Sequence, residues 1–181
     1  MKKTIIFIIT LIFSSTLIYS QMPDSVINVP LDKNTKLIIY QEVKEQKGNK
    51  TELFNRANDW FRSYYANPSG VTKIKNLEKG LMTGVARFRC IKYDKKGNKL
   101  PSFTIQYSIT IDLKDGRYRF TLSDFNLKQS SYFALERWLN EAKYNTPVYI
   151  DALNQIDAEM KKLIESFHVA LKPKEVIKDE W

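Results

Sequence analysis

From Phe103 to Leu113 every second residue is apolar: Phe103, Ile105, Tyr107, Ile109, Ile111 and Leu113 alternate with Thr104, Gln106, Ser108, Thr110 and Asp112. A period of two is the period of a β-strand, so the pattern predicts a strand with one face in a core and the other in water. A strand of that kind belongs to an antiparallel sheet covered on one side, because parallel sheets are buried on both faces and read as unbroken apolar runs. The flanking residues extend the sheet. Lys114-Asp115-Gly116 is a tight reversal in which glycine supplies the positive φ, and Arg117 to Leu122 returns with Tyr118, Phe120 and Leu122 facing inward. Upstream, residues 81 to 93 place Met82, Gly84, Ala86, Phe88 and Cys90 on one face and Arg87 and Arg89 on the other. The loop from Asp94 to Lys99 joins this strand to the alternating one.

Two segments carry a helical period instead. Leu53, Ala57, Trp60, Phe61 and Tyr64 fall on one stripe, behind an Asn49…Glu52 pair with capping-box spacing. Thr146 at the N-cap and Pro147 at the first helical position open a second helix, whose stripe is Tyr149, Leu153, Ile156, Met160, Leu163, Ile164 and Phe167. A first strand is expected over Leu37 to Val43 and a weaker one over Val71 to Leu77, with a turn at Asn67-Pro68-Ser69-Gly70. Between Ser123 and Asn145 the pattern loosens, and a short helix capped by Ser130 or Ser131 is expected to carry Phe133, Trp138 and Leu139. The order is strand, helix, four strands, helix. It predicts an α+β fold in which helices pack on one face of an antiparallel sheet of about five strands.

The N-terminus reads as an address. Met1-Lys2-Lys3, the apolar run Ile5 to Phe13 and the small residue Ser20 have the layout of a secretory signal peptide over residues 1–20. The apolar stretch is too short for a membrane span, and the expected mature chain has no transmembrane span. Residues 21–35 then form a polar lead, 36–171 a single α+β domain and 172–181 a charged, flexible tail. Removing the first twenty residues, which carry two lysines and no acids, takes the formal net charge from +9 to +7. A basic exported chain with scattered lysines is not expected to bind nucleic acid. Its single cysteine, Cys90, forbids an internal disulfide and is expected to be a buried, inert thiol.

Asp32, the stretch Lys36 to Val43 with Tyr40-Gln41-Glu42-Val43, Glu52-Leu53, Ala57, Trp60 and the Gly80 to Gly84 stretch resemble positions in an exported Bacteroidota family of unknown function. The likeness spans roughly residues 30 to 170 in arrangement and departs at Ser123 to Asn145. It implies a TATA-binding-protein-like fold and an envelope location, the periplasm or outer surface of a Gram-negative cell. It implies no catalytic residue and no ligand. The fold name itself says nothing about DNA, since fold does not fix function.

The polar sheet face is the candidate binding surface. Arg87, Arg89, Gln106, Arg117 and Arg119 lie on it, and guanidinium groups hold carboxylate or phosphate in bidentate fashion. The expectation is a non-catalytic binding or interaction module that meets an envelope protein or an acidic glycan through this face. The alternative is a carrier holding a small apolar or aromatic ligand against Trp60, Tyr64, Tyr107 and Tyr118. A hydrolase stands third, since Asp112 with Asp115 and Asp151 with Glu159 are the pairs of acids open to carboxylate chemistry. The lone His168 is expected to serve the end of the last helix. One histidine and one cysteine cannot supply the usual ligands of a metal site, and neither cofactor nor metal is expected.

Overall fold

The computed structural model describes residues 27–173. The expected signal segment, the start of the lead and the tail beyond Pro173 lie outside these residues. The elements in chain order are β1 (Tyr40–Glu45), α1 (Lys50–Tyr64), α2 (Pro68–Val71), β2 (Thr72–Asn76), β3 (Leu81–Tyr93), β4 (Lys99–Lys114), β5 (Arg117–Leu127), α3 (Arg137–Asn140) and α4 (Pro147–Leu171). The five strands form one antiparallel sheet in the order β1-β5-β4-β3-β2. The strands β2 to β5 are a meander of hairpins. β1 is added at the far edge, so the chain crosses the sheet once, through α1.

Helices α1 and α4 pack side by side on one sheet face. The inward alternation decides which face. Met82, Ile109, Ile111, Leu113, Phe120 and Leu122 are buried against Leu53, Ala57 and Phe61 from α1 and Leu153, Ile156, Met160 and Phe167 from α4. Each such side chain larger than alanine contributes roughly 1.5–3 kcal/mol on burial, which outweighs the few tenths that separate helix propensities. Trp60 is the hub of the layer: its ring meets Phe61, Tyr64, Phe120 and Phe167 at centroid distances of 5.0–6.0 Å. Its Nε1–H donates to Ser166 Oγ at 2.9 Å, so the buried indole keeps a partner.

The start of α1 is fixed reciprocally. Glu52 N donates to Asn49 Oδ1 at 2.9 Å and Asn49 N donates to Glu52 Oε2 at 3.1 Å. Lys50 N donates to Asp115 Oδ1 at 2.7 Å, which ties the helix to the β4–β5 turn. At Gly80 the backbone has φ +62, and a Cβ would lie 2.1 Å from the Leu113 carbonyl oxygen, so only glycine fits where β3 begins against the end of β4.

Four expectations are corrected. The first strand begins at Tyr40 rather than Leu37, because Asp32 Oδ1 accepts from Asn34 N, Thr35 N and Thr35 Oγ1 and turns the chain. Among the described residues a Leu31–Ile38 bridge precedes the strand. The Asn67-Pro68 turn closes into the single-turn helix α2, whose cap is Asn67 Oδ1 accepting from Gly70 N at 3.1 Å. β5 continues past Leu122 to Leu127, through an irregularity at Asp124, which has φ 55. The segment after it holds α3 and a 3-10 turn at Ala142–Tyr144 rather than one Ser-capped helix. That segment is packed: Leu135 and Trp138 are buried, and Glu136 Oε1 accepts from Ile38 N at 2.9 Å. Among the described residues no helix is long and apolar enough to cross a membrane.

Candidate functional site

The face of the sheet opposite α1 and α4 is built from the second alternating set. Across its middle Thr83, Thr110, Thr121 and Gln41 lie side by side on four strands, and the next row is Val85, Ser108 and Ser123. Gln41 Nε2 donates to Thr121 Oγ1 at 3.2 Å and Ser108 Oγ to Asp124 Oδ2 at 3.3 Å. The centre is thus a band of hydroxyl groups.

The arginines stand at its two ends. Arg87 is opposite Gln106, with Nε 3.3 Å from Gln106 Oε1, and Arg89 is opposite Thr104. Arg119 is opposite Asp112 and Arg117 opposite Lys114. Six residues of β4 separate Gln106 from Asp112, so the pairs Arg87/Arg89 and Arg117/Arg119 are at least about 20 Å apart along the strand. The five residues share a face, as alternation requires, but do not make one platform. At the second end Asp112 Oδ2 accepts from Arg119 Nε at 3.0 Å and lies 2.9 Å from Nη2, so one carboxylate oxygen holds two guanidinium nitrogens. Arg117 and Lys114 beside it form no ion pair among the described residues. A shallow depression of about 320 Å³ lies there, lined by Val43, Asp112, Lys114, Arg117, Tyr118 and Arg119.

A second site is absent from the sequence reading. Between β1 and α4 a cleft of about 500 Å³ is lined by Tyr40, Glu42 and Lys44 from alternate strand positions and by Asp157, Lys161, Ile164, Glu165 and His168 from one side of the helix. Asp157, only 8% exposed in its side chain, accepts from Tyr40 Oη at 3.2 Å and from Lys161 Nζ at 2.7 Å. Burial, then the Asp157 charge, pushes the Tyr40 phenol well above its ordinary range. At the other end Lys44 Nζ lies 2.6 Å from His168 Nδ1. An ammonium has only donors, so Nδ1 is the acceptor and Nε2 carries the proton. Nε2 faces Glu42 Oε2 at 3.3 Å but without hydrogen-bond geometry. Burial first, and the Lys44 charge second, hold the His168 pKa below its usual value.

That arrangement limits what His168 does. Its one lone pair is covered by Lys44, so it accepts a proton only if Lys44 withdraws, and among the described residues no Ser, Thr or Cys lines the cleft. His168 lies in the last turn of α4, as expected, but its side chain is buried against β1 and β5, with its ring 6.0 Å from that of Tyr118. One signal was present in the sequence. Asp157 follows Ile156 on the edge of the apolar stripe of α4, and an acid there implies a buried partner.

Of the four acids open to carboxylate chemistry, Asp112, Asp115 and Asp151 have partners within the fold. Asp115 caps α1, Asp112 clamps Arg119, and Asp151 Oδ2 accepts from Gln155 Nε2 at 2.7 Å. Trp60, Tyr64, Tyr107 and Tyr118 meet other rings and fill the layer between helices and sheet. Cys90 is fully buried and its thiol is pushed up to about 12, chiefly by burial, which makes it a poor nucleophile. Among the described residues no group of His, Cys, Asp and Glu is arranged to hold a metal ion.

Comparison with known proteins returns the fold. A crystal structure of a TBP-like protein from Parabacteroides distasonis ATCC 8503 superposes with a TM-score of 0.55 at 17% identity, covering 77% of this chain and 97% of that one. A DUF4468 family protein from Bacteroides ovatus ATCC 8483 superposes with a TM-score of 0.63 at 13% identity, covering 82% and 92%. No curated protein matches the chain. The family model for DUF4468, a domain of unknown function with TBP-like fold, matches residues 39–128. That stretch runs from β1 to the end of β5, so it includes the open sheet face and leaves out the α4 side of the cleft. The chain belongs to the DUF4468 family of TBP-like domains.

Proposed function

We propose that this protein is an exported, non-catalytic binding module of the cell envelope, and that its open sheet face takes an extended acidic glycan. The carrying observation is the layout of that face: a hydroxyl band three strands wide, continued on β1 by the Gln41 amide, with two arginines at either end, about 20 Å or more apart. Separated cationic ends suit an elongated ligand whose charges are spaced along it, and the threonine and serine hydroxyls suit its hydroxyl groups. A compact anion would reach one end only. Export rests on the layout of residues 1–20. The non-catalytic reading rests on the capped His168 and the structural duties of Asp112 and Asp115.

Titration calorimetry with an oligogalacturonate, and with a neutral oligosaccharide of equal length, tests the reading. Binding of the acidic chain is expected, weakened by salt because the charges are exposed. Replacing Arg87 and Arg117 together with Ser is expected to lower affinity at least about tenfold, or about 1.4 kcal/mol, with the fold intact. Equal affinity for the neutral chain, or a double variant that binds as well as the parent, would discard the proposal.

A further inference from the structure

We infer that the protein forms a symmetric dimer by antiparallel pairing of β1 with β1 of a second copy, in a register centred on Val43. Three observations lead there. The first is the edge itself. β1 ends the sheet, and its backbone groups alternate sides. Ile39 N donates outward to Pro30 O at 3.2 Å, and Gln46 N donates inward to Gly116 O at 2.8 Å. By that parity Gln41, Val43 and Glu45 direct N–H and C=O away from β5. Among the described residues no backbone hydrogen bond reaches them.

The second is the order of side chains, Glu42-Val43-Lys44. Folded back on itself about Val43, this sequence places Glu42 opposite Lys44 of the second copy, and Lys44 opposite the second copy's Glu42. Residues of this parity are non-hydrogen-bonded pairs, in which opposing side chains stand closest, and opposite charges there are favourable. Val43, 63% exposed, meets its own counterpart. Among the described residues the backbone pairing of the lead stops at Ile39 and does not reach Tyr40 to Gln46.

The third is the contrast with the other edge. β2 carries Lys73-Ile74-Lys75, with a register irregularity between Thr72 and Ile74. The same fold-back about Ile74 would oppose lysine to lysine. A bulged edge with one sign of charge resists strand pairing. β1 has the reverse arrangement, regular and self-complementary, which is what an isologous contact requires.

Sedimentation equilibrium of the full chain is expected to show a monomer–dimer equilibrium. Val43→Pro removes only an outward N–H, so it should leave the β1–β5 ladder and the circular-dichroism spectrum unchanged while abolishing the dimer. Glu42→Lys and Lys44→Glu should each be monomeric alone, because each places like charges opposite. Mixed together they should associate, since each supplies the charge the other lacks. A parent chain that stays monomeric to about 0.5 mM, or a dimer indifferent to all three substitutions, overturns the proposal. So do two charge variants that are monomeric apart and fail to associate when mixed.

Discussion

At His168 the native protein disfavours the charged imidazole, and the causes come from three directions. Burial beneath α4 removes water, and Lys44 on β1 adds a like charge. Glu42 on β1 and Glu165 on α4 act in the opposite sense, and Tyr118 on β5 supplies only a ring face. Because the folded pKa lies below the ordinary 6.5, the unfolded chain binds more protons than the native one as pH falls through that value. Stability contributed by the neutral histidine is therefore complete above about pH 6.5 and is lost as pH drops through the folded pKa. Urea unfolding from pH 7.5 to 5 should show a shallower fall for His168→Asn than for the parent. Matching slopes would assign the acid sensitivity to other groups.

The elements form where local signals and tertiary demand agree. At α1 the capping box is one such signal, and Asn49→Ala should cost about 1 kcal/mol, read as a lower urea midpoint with unchanged cooperativity. β3, β4 and α4 could be read from the sequence for similar reasons: each has a period, and each boundary has a glycine, a proline or a turn behind it. What the sequence concealed depends on contacts distant in the chain. Nothing local says that β1 starts at Tyr40, since Leu37 to Ile39 are equally strand-like. The Asp32 turn and the bond from Ile38 N to Glu136 decide it. Past Leu122 the irregularity at Asp124 breaks the alternation, so the end of β5 looked like loop. The same reason divides the candidate sites. The arginines were legible as sharing a face because alternation fixes faces, but their separation depends on strand register. The Lys44–His168 contact joins residues 124 apart, and neither neighbourhood announces the other.

On the scale of the whole molecule, one feature of connectivity has a kinetic meaning. β3, β4 and β5 pair through hairpins, whereas β1 meets β5 with Tyr40 opposite Leu122, across most of the domain. Closing that long loop costs chain entropy that the hairpins do not incur. The meander should assemble early and β1 should arrive last. Ile111→Val, in the middle of β4, is then expected to slow refolding. Tyr40→Phe, which strips a hydrogen bond from Asp157 at a cost of about 1–3 kcal/mol, should mainly speed unfolding. Stopped-flow chevrons for the two variants test this order, and a slowed folding limb for Tyr40→Phe would reverse it. If β1 is the final strand to add, every newly made chain passes through a stage in which β5 is a long bare edge. A chain at that stage is open to strand exchange with its neighbours, so fast docking of six residues guards it against aggregation before it guards anything else.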